Sequence, residues 1–358
     1  MGKFNISVII PSLNPDEKLL HTVNDLLKNG FDDIIIINDG SKKEYLGNFP
    51  NTDVYKECTV LTHEYNRGKG DALKTAFTYF LENRKDKAGV VTIDADGQHL
   101  VKDIINCTDK MLETSKIVLG CRDFSCKSVP LRSRFGNKTT RILLRLLYGV
   151  NVSDTQTGLR AIPKKFLVNL LDIEGSRYEY ETNMLLEFKQ QAIDFCEVPI
   201  ETVYINDNEA SHFRPIVDSY RIYKKMFKFI FSSLSSMLIE LVLFYLCIKF
   251  LFHGNTHEII YSTAIARFFS SIYNFLLNRN SVFSKNNSLV KSLLRYIALA
   301  IVLILASGYS VKGLSLIIRT ESELITTVLK IIVDTVLFFV SFRVQQNWVF
   351  APGRKNKN

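Results

Sequence analysis

The stretch VTIDADGQH, residues 91–99, runs from an apolar segment directly into two carboxylates. Residues 90–93 have the length and the β-branched composition of a short buried strand. Asp94 and Asp96 follow one residue apart, and side chains at that spacing would point to opposite faces of a continuous strand. We therefore expect the chain to turn at this point, which Gly97 allows.

Short apolar runs and helical segments alternate through the first half of the chain. Apolar residues recur at helical spacing over residues 16–29, and a second helix is expected from about residue 71 to residue 83. Strands interleaved with helices are typical of an α/β domain with a mostly parallel, doubly wound sheet. The predicted strands lie at residues 6–10, 34–37, 60–63, 90–93 and 116–119.

Polar side chains follow three of these strands. Sheets of this kind bind ligands at the carboxyl ends of their strands, where Asn14, Asp39, Asp94 and Asp96 stand. Two carboxylates with the amide oxygen of Gln98 suit a hard cation such as Mg²⁺ or Mn²⁺. Such a cation would bridge a diphosphate and take up negative charge as that group leaves. Surface loops also carry Asp-x-Asp, but the position at a strand end favours a metal site.

A second candidate, NRGKG at residues 66–70, precedes the second predicted helix. Backbone N–H groups at a helix start, together with Lys69, would face an anion. The stretch is not a Walker A loop, nor a dinucleotide fingerprint, because Leu73 takes the place of the third glycine. A plain tight turn is the alternative, and turn chemistry equally accounts for Asp39 within Asn-Asp-Gly.

The second half of the chain has a different composition. Residues 229–358 contain 13 basic and 5 acidic side chains, against 32 and 31 in residues 1–228. An excess of positive charge in the more apolar half is unlike the basic stripe of a nucleic-acid-binding protein. Apolar stretches near the roughly 20 residues that cross a bilayer predict an all-α, four-helix transmembrane domain. They lie at about residues 229–251, 258–277, 293–311 and 324–342.

Basic residues beside these stretches predict an orientation. Arg279, Lys285, Lys291 and Arg295 lie between the second and third stretches, and a basic tail at 351–358 follows the fourth. By the positive-inside rule, both termini and the N-terminal domain are expected in the cytoplasm of a bacterial or archaeal cell. The six cysteines form no CxxC pair and are expected to be reduced thiols, which agrees with that compartment.

Two basic amphipathic segments are candidates for the membrane surface. Helices at about 132–148 and 214–228 would lie on lipid headgroups, with packing on the sheet as the alternative. The predicted domains are residues 1–213, which include the first of these helices, an interface helix or linker at 214–228, a transmembrane domain at 229–350 and a tail at 351–358.

Two features stand out within the transmembrane domain. Residues 274–283 and 341–350 both end in Asn-x-Val-Phe, which indicates two related hairpins or a shared interfacial signal. Charged residues also lie in the apolar stretches, where an unpaired charge is expensive. Two roles are possible for these charged residues. They pair with one another and stabilise the helices, or they line a passage for a lipid phosphate or a glycolipid. The pairs available are Glu240 with Arg267 and Lys330 with Asp334.

Six ordered motifs resemble the family 2 inverting glycosyltransferases with a GT-A fold, a Rossmann-like architecture. They are most similar to the polyprenyl-phosphate branch, which includes dolichol-phosphate mannose synthases. The four-helix part resembles the GtrA-like membrane domain. The motifs are VIIPSLN (8–14), NDGS (38–41), NRGKG (66–70), DADGQH (94–99), GCR (120–122) and DTQTGLR (154–160).

The resemblance implies a role for each matching position. Nucleotide-sugar binding is implied for Pro11, Leu13, Asn14, Asp39, Lys69, Asp94, Ala95 and Arg214. The implied metal ligands are Asp94, Asp96 and Gln98, and the implied catalytic residues are Asp96, Arg122 and Asp154. Contacts to the acceptor phosphate are implied for Arg132, Arg134, Asn137 and Arg160. Cys121, Leu13 and Leu159 depart from the usual Ser, Tyr and Phe, and Leu13 weakens any prediction of base stacking.

Together these features predict a membrane-bound, metal-dependent transferase. It would move a hexose-type sugar from a nucleoside-diphosphate sugar to undecaprenyl or dolichyl phosphate, with a UDP-sugar favoured over GDP-mannose. A lipid monophosphate is largely a dianion at neutral pH, so it needs arginines to hold it more than a general base. No nucleic-acid partner is expected, and a homo-oligomer is left open.

Two other functions compete with this prediction. Processive polysaccharide synthases carry Gln-x-x-Arg-Trp, which is absent because the only tryptophan, Trp348, follows Asn347. The other alternative is a lipid-carrier or flippase-type scaffold with a weakly active, nucleotide-sugar-binding transferase domain. The intact set of Asp94, Asp96 and Gln98 argues against that scaffold.

Overall fold

The computed structural model describes residues 5–124, 131–201, 215–251, 258–283, 288–319 and 322–351. They form two compact units, Met1–Ile222 and Tyr223–Asn358. The division falls inside the segment 214–228 that the sequence marks as an interface helix or linker.

The N-terminal unit is built on one mixed, mostly parallel sheet, as predicted. Within the described residues the strand order is β3-β2-β1-β4-β6-β5-β7. Only β6 runs antiparallel to its neighbours β4 and β5. The strands are β1 Ile6–Ser12, β2 Ile34–Asn38, β3 Cys58–Thr62, β4 Gly89–Thr92, β5 Ile117–Arg122, β6 Arg160–Pro163 and β7 Phe195–Ile200.

Helices cover both faces of this sheet, because its central strands are apolar on both sides. Ile35 and Ile37 of β2 pack in the core on one face, together with Phe77. Ile34 and Ile36 pack on the other face. The helices of this unit are α1 Lys18–Lys28, α2 Lys69–Asn83, α3 Val101–Thr114, α4 Leu131–Leu143, α5 Lys164–Leu171 and α6 Glu179–Gln190.

The predicted helix at 132–148 corresponds to α4 and a π-helical turn, Leu144–Tyr148, that continues it. Phe135 is 73% exposed, and Ile142 and Leu146 are 48% and 45% exposed. Lys138 and the arginines of the last turns are exposed as well. The helix thus presents large apolar and basic side chains to its surroundings.

Strand register brings the polar strand ends to one edge of the sheet. Ser12 at the end of β1 pairs with Asn38 at the end of β2. Beyond them, Asn14 adopts a left-handed conformation (φ 48°). Its backbone N–H donates to Ser41 Oγ at 2.8 Å, and its Oδ1 accepts from the N–H of Lys42 at 2.9 Å. These bonds join the loops that follow β1 and β2.

The described cysteines are free thiols, and the reducing compartment stays a prediction. Burial raises the pKa of Cys58, Cys107 and Cys121 to about 12 each. These thiols are therefore protonated and unreactive at neutral pH.

Apart from helix ends and connections, the described residues of the C-terminal unit are helical. Residues 215–228 do not form a separate helix, because α7 continues through them without a break. Two segments, Phe227–Leu251 and Leu289–Ile318, are long and apolar enough to cross a membrane, and only 6% and 11% of their apolar windows are buried. The predicted count of four spans stays a prediction. The helices are α7 Pro215–Leu246, α8 Glu258–Leu277, α9 Leu289–Ile318 and α10 Glu323–Val344.

The two similar segments at 274–283 and 341–350 meet in this unit. Asn278 Nδ2 donates to Gln345 Oε1 at 3.1 Å, across a separation of 67 residues. Phe283 stacks on Phe350, with ring centroids 5.2 Å apart. Each segment closes with the same backbone bond, from Phe283 N–H to Asn278 O and from Phe350 N–H to Gln345 O, both at 2.8 Å.

Contacts to the preceding helices repeat at the same offset. Lys228 Nζ donates to Ser281 O at 3.1 Å, and Arg295 NH1 donates to Trp348 O at 2.6 Å. Both the cations and their acceptors are therefore 67 positions apart. These repeated contacts favour the prediction that α7–α8 and α9–α10 are two related hairpins, which contact each other at equivalent residues.

The hydrogen bond between Asn278 and Gln345 predicts that replacing the two residues has coupled effects on stability. Asn278 and Gln345 are both buried, so replacing either by Ala removes the bond between them and leaves the other with only its contact inside its own segment, to Asn274 or Ser341. The double variant is expected to lose about 1 kcal/mol less than the sum of the single losses. Thermal unfolding of the four proteins in detergent measures this. Thr335→Ala, which removes a hydroxyl bonded only within its own helix, is the control, and strictly additive losses would contradict the prediction.

Candidate active site

The residues after β4 form the turn that the sequence predicts. Gly97 has φ 74°, and the backbone N–H of Gln98 donates to Asp96 Oδ1 at 3.0 Å. Asp94, Asp96 and Gln98 are half-buried. Burial, and after it the charge of Asp94, raises the pKa of Asp96 above its ordinary value. Two carboxylates therefore lie close together at the carboxyl edge of the sheet.

Lys69, the first residue of α2, reaches into this edge. Its Nζ lies 2.7 Å from Asp94 Oδ1 and 2.9 Å from Glu181 Oε2 of α6. Burial alone would lower the pKa of Lys69, but the two carboxylates raise it above its usual range. Burial would likewise raise the pKa of Asp94, and Lys69 instead holds it well below its usual range. Lys69 and Asp94 are therefore both charged.

Sequence reasoning missed two residues of this site. Glu181 lies far along the chain in a helix with other acids, so no local pattern singles it out. Gly158 stands within the DTQTGLR motif, which is a usable signal. A Cβ at Gly158 would lie 2.4 Å from Asp94 Oδ2, so only glycine leaves room for this carboxylate.

The donor set fits a hard divalent cation. Two carboxylates and the amide of Gln98 come from a single turn, and oxygen ligands of this kind suit Mg²⁺ or Mn²⁺. In addition, His99 Nε2 is buried without a hydrogen-bond partner and lies 3.4 Å from Asp94 Oδ2. Among the described residues, no cluster of three or more His, Cys, Asp and Glu side chains forms a metal site. The predicted site thus rests on two acids and one amide.

The Asp39 side chain is buried and bonded to the protein. It accepts hydrogen bonds from the backbone N–H of Arg67 at 2.9 Å and of Gly68 at 2.8 Å. His63 Nδ1 lies 2.7 Å from its Oδ1. Asp39 therefore fixes the loop that delivers Lys69. The resemblance also places Pro11, Leu13, Asn14 and Ala95 around the nucleotide. Pro11 lies near the end of β1 and the others lie in the loops after β1 and β4, and all four are half-buried.

Arg122 and Asp154 form a two-point ion pair. Arg122 Nε donates to Asp154 Oδ2 at 2.7 Å and NH2 donates to Oδ1 at 3.1 Å. The Asp154 side chain is fully buried, whereas that of Arg122 is 20% exposed. The geometry fits a carboxylate that orients an arginine.

The described residues assigned to the acceptor phosphate differ in burial and in their bonds to the protein. Asn137 is buried and bonds Ser153 O at 2.9 Å and the backbone N–H of Thr155 at 3.0 Å, so it ties α4 to the loop of Asp154. Arg160 is 1% exposed. Arg134 is half-buried in α4. Arg214 and the side chain of Arg132 lie outside the described residues, and the phosphate-binding roles stay predictions.

Both charge pairs expected in the C-terminal unit are present. Arg267 NH2 lies 2.8 Å from Glu240 Oε1, and Lys330 Nζ lies 2.8 Å from Asp334 Oδ2. Ser307 Oγ also donates to Asp334 Oδ1 at 2.6 Å. Arg267, Lys330 and Asp334 line a cavity of about 570 Å³ among α7, α8, α9 and α10. Pairing offsets the cost of these charges, and a lipid passage stays a prediction.

Comparison with known proteins agrees with this organisation. Residues 7–171 match glycosyl transferase family 2, and residues 228–350 match the GtrA/DPMS transmembrane domain. A UDP-N-acetylglucosamine–dolichyl-phosphate N-acetylglucosaminyltransferase of Methanococcus voltae is 33% identical over 217 residues, 56% of this chain and 86% of that protein. An uncharacterized protein of Methanocaldococcus jannaschii is 31% identical over 211 residues, 57% of this chain and 84% of that protein.

Among solved structures, a glucosyl-3-phosphoglycerate synthase from Mycobacterium tuberculosis, in complex with Mn²⁺, UDP and phosphoglyceric acid, is similar at a TM-score of 0.46. It is 18% identical, and the match covers 63% of this chain and 77% of that one. The two sequence relatives and the two family matches carry the assignment: this chain belongs to glycosyltransferase family 2 and has a C-terminal GtrA/DPMS transmembrane domain.

Proposed function

We propose that this glycosyltransferase moves a hexose-type sugar from a nucleoside-diphosphate sugar to a polyprenyl phosphate and requires Mg²⁺ or Mn²⁺. The carboxylates of Asp94 and Asp96 on one turn, with Lys69 beside them, carry the proposal. The Methanococcus voltae relative, named for a UDP-sugar donor and a dolichyl-phosphate acceptor, supports a UDP-sugar here. GDP-mannose is the alternative donor, and undecaprenyl phosphate the alternative acceptor.

The proposed chemistry is a single in-line displacement. A phosphate oxygen of the lipid attacks the anomeric carbon, the bond from that carbon to the nucleoside diphosphate breaks, and the configuration inverts. The lipid phosphate is largely a dianion at pH 7, so no proton has to be removed. A bound divalent cation would neutralise charge on the departing diphosphate.

Residues of this chain position the reacting groups. Asp94, Asp96 and Gln98 would hold the cation, and Lys69 would meet the donor phosphates. Arg122, oriented by Asp154, would counter the repulsion between the donor and acceptor phosphates. Asp154 is fully buried and paired at both oxygens, which fits an orienting carboxylate better than a general base.

Helix α4 is the proposed contact with the membrane surface. Its exposed apolar and basic side chains have the pattern of a helix that lies among lipid headgroups. The GtrA/DPMS domain anchors the chain, and we propose four spans with both termini and the transferase domain in the cytoplasm.

The metal assignment predicts the effect of Asp94→Asn. This change removes one carboxylate charge and is expected to abolish both Mn²⁺ binding and transfer while the protein stays folded. Transfer of radiolabelled sugar to polyprenyl phosphate, with circular dichroism as the folding check, measures this. Asp109→Asn, an exposed aspartate on α3, should have no effect. Retained turnover in Asp94→Asn would refute the metal assignment. A wild type that binds the nucleotide sugar but transfers almost none of the sugar would favour the scaffold.

The close approach of Gly158 to Asp94 predicts a second effect. The methyl group of Gly158→Ala would displace the Asp94 carboxylate, so Mn²⁺ affinity is expected to fall at least about tenfold. Titration of Mn²⁺ by electron paramagnetic resonance measures it. Gly47→Ala is the matched control, since nothing lies within 4 Å of a Cβ there. Unchanged affinity in Gly158→Ala would show that Asp94 does not hold the metal where it now stands.

The surface role of α4 predicts a separation of donor and acceptor effects. Phe135→Ser is expected to lower transfer to polyprenyl phosphate in vesicles about tenfold, because one exposed aromatic side chain no longer enters the lipid. Mn²⁺ and UDP binding should not change. Val54→Ser removes an equally exposed side chain (71%) elsewhere and serves as the control. Full transfer by Phe135→Ser would contradict the membrane contact.

A further inference from the structure

Lys69 contacts one of the two carboxylate oxygens of Asp94, which is a ligand of the proposed metal. Its Nζ lies 2.7 Å from Asp94 Oδ1, and the side chain is only 16% exposed. The other oxygen, Oδ2, faces the backbone of Gly158 and the ring of His99. A divalent cation that approaches Asp94 therefore meets a positive charge already in place, and the two cations repel each other.

Glu181 offers Lys69 a second partner. Its Oε2 lies 2.9 Å from Lys69 Nζ, and its side chain is 9% exposed. A buried lysine without a partner is strongly disfavoured. If a metal ion displaces Lys69 from Asp94, the Lys69 ammonium still pairs with Glu181. That pair keeps the ammonium inside the site.

Backbone packing fixes Glu181 in this position. Buried Arg160 donates from NH1 to the carbonyl oxygen of Glu181 at 2.8 Å. The start of α2 is bonded to the loop before α6, from Asp71 N–H to Ser176 O at 3.1 Å. A Cβ at Gly68 would lie 2.4 Å from Ser176 O. These contacts hold the starts of α2 and α6 together, so Lys69 and Glu181 face each other without a rearrangement.

We propose that Glu181 is a positioning residue that retains Lys69 while a divalent cation displaces this lysine from Asp94. Lys69 is then a resident cation that competes with the metal, and Glu181 sets the strength of that competition. This inference rests on the proposed metal-dependent function and assigns Glu181 a part in it. Lys69, once released from Asp94, remains available to the phosphates of the donor.

The test is a double-mutant cycle on Mn²⁺ affinity, measured by electron paramagnetic resonance on the full-length protein in detergent without nucleotide. Lys69→Gln removes the competing cation and is expected to raise Mn²⁺ affinity about tenfold. Glu181→Gln leaves Asp94 as the one carboxylate in contact with Lys69 among the described residues and is expected to lower the affinity about fivefold. In the Lys69→Gln background, Glu181→Gln should have less than half of that effect, because its partner is gone.

Each other outcome overturns the inference. Equal effects of Glu181→Gln in both backgrounds would mean that Glu181 acts on the metal directly. Unchanged affinity in Lys69→Gln would mean that no competition exists, and this single variant decides the matter if Glu181→Gln does not fold. Glu187→Gln, on the same helix, is the control for loss of a charge and should leave the affinity unchanged. Failure of the proposed function is distinguishable, since the wild type itself would then bind no Mn²⁺.

Discussion

The candidate site depends on one buried interaction, the contact of Lys69 with two carboxylates. It joins three segments that are distant in sequence: the turn after β4, the start of α2 and the first turn of α6. The charges offset one another, so a lysine and two acids persist at a largely buried edge of the sheet. Close backbone approaches at Gly68 and Gly158 let the segments come near enough for this contact. The glycine at 158 therefore follows from the position of Asp94.

Much of the fold could be predicted from the sequence because its signals are local. Four β-branched residues in succession mark β2 as a strand covered on both faces, and the register of such strands then places Asn14, Asp39 and Asp94 at one edge. Strands β6 and β7 were not predicted from the sequence. β6 has only four residues and includes Arg160, and β7 contains Glu197 and Pro199, so neither shows an apolar run.

The site was less predictable, because its decisive contacts are long-range. The two acids of the turn after β4 can be recognised in the sequence by their spacing. The contact of Lys69 with Glu181 cannot, because Glu181 lies more than a hundred residues away. Asp39 and Asn137 show the same limit. Asp39 belongs to the NDGS motif and Asn137 to the basic segment 132–148, and both stretches suggest ligand binding. In this structure each side chain bonds the protein backbone and fixes a loop. The motif alone does not reveal that bonding.

The two hairpins of the C-terminal unit match at one end and differ along the cavity. At one end they keep equivalent contacts, as the bonds of Lys228 and Arg295 show. Along the cavity the equivalent positions differ: Arg267 bonds Glu240 in one hairpin, and Asp334 accepts from Ser307 in the other, each across 27 residues. The shared end holds the hairpins together, and the altered residues make the cavity chemically asymmetric.

The proposed reaction is a metal-dependent transfer of a sugar to a polyprenyl phosphate, with inversion at the anomeric carbon. The most direct measurement incubates the full-length protein in polyprenyl-phosphate vesicles with an α-linked UDP-sugar and analyses the lipid product by NMR. We expect a β-linked sugar monophosphate lipid that disappears with EDTA and returns with Mn²⁺. An α-linked product, or undiminished product in EDTA, would contradict it.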